Sequence, residues 1–114
     1  MDVSNNASLT TLNVSALTGL DSINISNIGN LTALDISNTQ LAAIDLSLVP
    51  NLITFTCRNA LKLGTIDLAS VPNLNTLDVA GATLLKDTLD LTYSTNLAIF
   101  PNWDNSFMTL VNEG

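Results

Sequence analysis

The sequence predicts a mostly β solenoid of about five coils, each closing in roughly 21–23 positions of the chain, with two parallel β-sheets and little helix. Three observations predict it. A large apolar anchor, followed two positions later by a second apolar residue, returns about every eleven residues, at Met1, Leu12, Ile23, Leu34, Ile44, Phe55, Ile66, Leu77, Leu89 and Phe100. Self-similarity at a fixed period marks an architecture of stacked repeats. Around each anchor apolar and polar residues alternate at period two, as a strand with one face inward requires. Corner residues recur between the units: the chain holds 15 Asn and 24 Ser plus Thr, which suit turns and strands better than helices.

The units follow the pattern L-x-x-L-x-[L/I/V] and fall into two interleaved series. The first occupies residues 9–14, 31–36, 52–57 and 74–79; the second occupies 20–25, 41–46, 63–68 and, with one inserted residue, 85–91. Because the two series end differently, the full repeat is two of these eleven-residue steps. The second series runs into segments 26–30, 47–51, 69–73 and 92–96, which contain Gly29, Pro50, Pro72 and a closing Asn. Pro presets φ and lacks an N–H, while Gly and Asn tolerate left-handed geometry, so each segment is predicted to turn a corner. Asn30, Asn51, Asn73 and Asn96 recur once per double step. Stacked coils would bring them into one column, with side-chain donors and acceptors for corner backbone groups and for the Asn above or below. One coil buries too little apolar surface to offset the ordering of its chain, so each must rest on its neighbours.

The solenoid is predicted over residues 1–100. Met1-Asp2-Val3-Ser4 already carries the repeat, so the first coil is expected to lack a cap and to leave a strand edge open. Residues 101–114 depart from the beat and contain Trp103, Phe107, Met108, Leu110 and Val111. A capping tail is expected there, with a short amphipathic helix over 105–111.

The stretch Leu31-Thr-Ala-Leu34-Asp-Ile36-Ser-Asn-Thr39-Gln-Leu41 closely resembles the leucine-rich-repeat pattern L-x-x-L-x-L-x-x-N-x-L. It is most similar to the short bacterial subtype of internalin-like and other surface proteins, which often carries Cys at the sixth position, where Cys57 stands. The resemblance covers residues 1 to about 100. It implies parallel strands on a concave face, an extracellular or cell-surface location, and recognition of a protein or glycan. The sequence departs from the pattern at the ninth position, where Leu17, Thr39, Ala60 and Ala82 replace the family's Asn.

By that resemblance the first series lines the recognition face. Asp35, Thr54, Thr56, Arg58, Thr76 and Asp78 are the partner-binding candidates. Arg58 has Asp35 and Asp78 on its diagonals, within reach of a long side chain, and either neutralises them or contacts a partner. The second series stacks Asp2, Asn24, Asp45, Asp67 and Asp90 in an outward column. Carboxylates ~4.8 Å apart repel, so hydrogen bonds from Ser47, Thr65, Thr88 and Thr92 are expected there. Asp45, Asp67 and Asp90 are weak candidates for a divalent cation, since Ca²⁺ takes carboxylate oxygens, but no loop of calcium-binding spacing occurs and no metal or cofactor is expected.

Ten acidic residues against Arg58, Lys62 and Lys86 give a net charge of −7. That balance argues against nucleic acid and anionic lipid as partners. No apolar run is long enough to span a membrane, and the N-terminus has no signal-peptide pattern. The chain has no His and a single Cys, and it shows neither a phosphate loop nor a nucleophile elbow. A non-enzymatic interaction or adhesion module is the expectation. The alternative is a structural solenoid that self-assembles into fibres or layers through an open N-terminal coil.

Overall fold

A computed structural model describes residues 1–97. The Phe100 anchor and the expected tail at 101–114 lie outside the described residues. The chain winds as a solenoid with four parallel strands: β1 (Thr11–Asn13), β2 (Ala33–Asp35), β3 (Thr54–Thr56) and β4 (Thr76–Asp78), in that order. All four come from the first series. The register places Leu12, Leu34, Phe55 and Leu77 directly above one another. Each strand has only three residues, but the backbone ladder continues beyond both ends: Thr32 N and Ala33 N donate to Thr10 O, and Val14 N donates to Asp35 O. The same pattern repeats coil by coil, with Ile53 N and Thr54 N on Thr32 O and Cys57 N on Asp78 O.

The apolar residues of both series face a shared axis. Leu34, Phe55 and Leu77 from the strands meet Leu46 and Leu68 from the opposite side, and all five are buried. Val49 and Val71, each just before a corner Pro, are buried as well. The anchors of the first coil are less covered: Leu12 and Ile23 are half-buried and Met1 is exposed.

The second series forms no second sheet among the described residues. Its pairing is reduced to one parallel bridge, Asp2 to Asn24. In the next two coils the chain instead enters 3₁₀ turns at Leu46–Leu48 and Leu68–Ser70, capped by Asp45 and Asp67. Val49 N closes onto Leu46 O and Val71 N onto Leu68 O. The N–H groups that a second ladder needs are thus satisfied locally, and Pro50 and Pro72 have none to offer. Beyond the first two coils, the backbone-to-backbone bonds between coils on this side thin to Gln40 N with Leu20 O and Gly64 N with Ala42 O.

The corners after β2, β3 and β4 follow a different rule. Asn38, Asn59 and Gly81 stack there with φ of 62°, 55° and 77°. Asn5 and Asn27 hold the same left-handed geometry in the second series, at 63° and 60°. Asn and Gly reach this region at least cost. At three of these positions the turn aims the N–H at the neighbouring coil: Asn5 N donates to Ser26 O, Asn38 N to Arg58 O and Asn59 N to Ala80 O, at 2.9, 2.9 and 2.8 Å.

Candidate functional site

The outer face of the sheet is a small grid fixed by the register. One column runs Thr11, Ala33, Thr54, Thr76, and the other Asn13, Asp35, Thr56, Asp78. All six partner-binding candidates belong to this face, since Arg58 lies just beyond β3. The Arg58 guanidinium meets Asp78 at 3.5 Å, and this is the one ion pair among the described residues. The pairing expected with Asp35 as well is not formed, because the guanidinium turns toward β4. Arg58 is also tied through its backbone, whose N–H donates to Ser37 Oγ at 3.0 Å. Ser37 itself is buried.

In the first column Ala33 stands among three threonines. Its short side chain lowers the surface, leaving a shallow depression of about 110 Å³ bordered by Thr11, Asn13, Asp35, Thr54 and Thr56. A larger hollow of about 440 Å³ opens along residues 5–9. Its walls come from one short run of chain, so it converges no groups from different coils.

The acidic column of the second series has a structural use. Asp2, Asn24, Asp45, Asp67 and Asp90 each accept the backbone N–H two residues ahead, at 2.9–3.1 Å. Asn13, Asp35 and Asp78 do the same at the strand ends. The position is therefore an Asx turn in every coil, and its outward carboxylate follows from the turn chemistry. Ser47 and Thr92 add hydroxyl donors to Asp45 and Asp90 as expected. Thr88 does not: its hydroxyl donates to Gly64 O at 2.8 Å. Asp67 receives Ser70 Oγ instead of Thr65. The bonds from Thr92 and Ser4 hold the carboxyls of Asp90 and Asp2 below the usual range. Among the described residues no group of three or more potential ligands is arranged to hold a metal ion.

Two kinds of Asn column tie coils together. Asn30, Asn51 and Asn96 donate their side-chain amides to corner carbonyls one coil back, at Ala7, Gly29 and Pro72. These bonds run from side chain to backbone and not from Asn to Asn. Among the described residues Asn73 makes no such bond; Asn75 in that coil donates to Asn96 O. The side-chain-to-side-chain ladder runs through other residues, which the repeat pattern does not mark: Asn27 donates to Asn5 at 2.7 Å and Asn59 to Asn38 at 3.3 Å. Each of these Asn follows the last inward apolar residue by two, as in Ile36-Ser-Asn38 and Cys57-Arg-Asn59. That spacing is the available signal. It falls one place before the position where the repeat pattern expects Asn, and Thr39, buried there, donates to Ile36 O instead.

Cys57 is fully buried in the inward column Val14, Ile36, Cys57, Val79. Burial, then the charges of Asp78 and Asp35, push its thiol far above the ordinary value. It behaves as a small apolar core residue and not as a nucleophile.

The functional domain of InlJ from Listeria monocytogenes, which includes a cysteine ladder, is similar to this chain: TM-score 0.58, 27% identity, and 85% of this chain covered. This chain spans only 26% of that one. InlJ is a leucine-rich-repeat internalin, and the likeness establishes a leucine-rich-repeat-like fold here. With one Cys in the whole sequence, this chain has no cysteine ladder of its own. No family model and no curated protein matches the sequence.

Proposed function

We propose that the chain is a non-enzymatic protein-interaction module of a cell-surface protein, and that the outer face of the β1–β4 sheet is its contact surface. The observation that carries this reading is the grid itself. Four strands locked in register present small polar side chains and one ion pair, Arg58 with Asp78, on a rigid floor. A protein surface fits that face better than a glycan. Among the described residues no aromatic ring stands on it to stack on a sugar: Phe55 points inward, and Tyr93 is exposed outside the sheet. The internalin-like neighbour supports both the interaction role and the surface location.

Size limits the affinity. Four strands ~4.8 Å apart and three residues long make a face of roughly 14 by 10 Å. A stable interface buries about 800 Å² per partner. The sheet face alone therefore supports weak, transient contact, and a tight complex must also use the corner loops. The test is a photo-crosslinking side chain placed at position 56 on the face or at position 69 on the opposite side. The expected result is a discrete protein adduct from surface extracts with the first and not with the second, whose purified partner then binds the wild-type chain. Equal adducts from both positions, or assembly of the chain into fibres under the same conditions, would overturn the reading.

A further inference from the structure

We propose that the depression beside Asp35 receives a basic side chain, arginine before lysine, presented by a protein partner. This rests on the sheet face being the contact surface. The depression exists because one residue breaks a column: Ala33 lies in register between Thr11 and Thr54, with Thr76 beyond. At about 110 Å³ it has room for roughly three or four waters at ~30 Å³ each. Pockets for whole small molecules run to about 300–1,000 Å³. A hollow of this size takes the tip of one side chain.

Its chemistry selects the charge of that tip. Asp35 lies on the rim and accepts Ser37 N at 2.9 Å through Oδ1, leaving Oδ2 for an incoming donor. The rest of the lining, from Thr11, Ala33, Thr54 and Thr56 with Leu12 and Leu34, is mainly apolar and suits the aliphatic stem of a long basic side chain. The cation of the face is already engaged: Arg58 pairs with Asp78 on the far side of β3. The two carboxylates of the sheet thus differ, one neutralised from within the chain and one not. The net charge of −7 favours basic partners for the molecule as a whole, and on this face Asp35 is the carboxylate that the Arg58 pair leaves over. Arginine is favoured because its planar fork meets a carboxylate bidentately and is common at protein interfaces.

The test is a titration of ¹⁵N-labelled protein with N-acetyl-arginine methylamide, and with the neutral citrulline analogue as control. The arginine probe should produce saturable shifts at the amides of residues 11, 33, 35, 54 and 56, and the citrulline probe none. Asp35→Asn retains the carbonyl oxygen that accepts Ser37 N, so the turn survives, and affinity for the probe should fall at least tenfold. Ala33→Leu fills the depression without touching the carboxylate and should weaken the probe to a similar extent. The proposal is overturned if no saturable shift appears up to the solubility limit of the probe. It is overturned equally if the shifts follow Asp45 and Asp67, or if either substitution leaves them unchanged. None of these results touches the sheet-face reading, which the crosslinking experiment decides separately.

Discussion

Asp90 holds the N–H of Thr92 with one oxygen and receives the Thr92 hydroxyl on the same atom, so its ionisation is tied to the turn it closes. The side-chain bond is the larger cause of its depressed pKa and the backbone bond the second. A carboxyl depressed in the folded state stabilises the fold while ionised. That contribution is complete above the unfolded value near 3.8 and is lost as pH falls through the lower folded value. Thr92→Val removes the hydroxyl and keeps the backbone donor. The Asp90 midpoint, followed by carboxyl-carbon NMR, should rise toward the ordinary range without reaching it, while Asp2, which has its own Ser4 donors, stays where it is. An unmoved Asp90 midpoint would show that the backbone bond alone sets the value.

At the scale of the element, the corner after β2, β3 and β4 is a left-handed step repeated through Asn38, Asn59 and Gly81. A Cβ built on Gly81 would collide with Asn59 Oδ1, and φ there is +77°. Gly81→Ala should therefore cost about 1–3 kcal/mol, the usual range for a strained backbone position, in chemical denaturation. Asn59→Ala should also destabilise, through the same backbone cost and the lost bond to Asn38, and Asn59→Gly by less because it keeps the freedom at φ. Equal losses for the two Asn59 variants would mean that the side-chain ladder, and not the backbone, carries the corner. These corners also show what is legible in the sequence. The strands β1–β4, their register and the inward columns follow from the eleven-residue beat, because period-two alternation is a local signal that burial enforces. The Asn38–Asn59 ladder escapes that reading because Gly81 interrupts its column and the pattern looks for Asn one place later. The second sheet is over-read for a different reason: residues 41–46 and 63–68 alternate like strands, yet Asp45 and Asp67 start 3₁₀ turns. Whether such a segment pairs with the next coil depends on distances between coils that no local spacing encodes. Among the site residues, the outward face is legible, but Arg58 choosing Asp78 over Asp35, and the depression at Ala33, emerge only once neighbouring coils are set side by side.

For the whole molecule, each coil is stabilised mainly by the coil above and below it, so the chain should respond to changes in repeat number as a nearly one-dimensional stack. Residues 53–74 form one full turn of the solenoid, with Phe55, Cys57, Leu63, Leu68, Val71 and Leu74 buried. A second copy inserted after Leu74 reproduces the natural Leu52–Ile53 junction. It stacks Thr54–Thr56 on its own duplicate and adds one Asn to the column between Asn59 and Gly81, where Asn38 and Asn59 already show that two such residues fit. The copy replaces one apolar interface with two, a net gain of one interface for one added turn, so the thermal midpoint followed by circular dichroism should rise. A copy of residues 64–74 alone is half a turn. It would put Pro72 and the 3₁₀ segment Leu68–Ser70 on the strand side, where the ladder needs N–H groups in extended chain. The same binary pattern of apolar and polar residues continues through both insertions, so composition and hydrophobicity cannot distinguish them. Only the stacking of residues one full turn apart can. The half-turn insertion should therefore lower the midpoint and broaden the transition. If both insertions shifted the midpoint alike, the two sides of the coil would be interchangeable, which one ladder of strands facing a row of 3₁₀ turns does not permit.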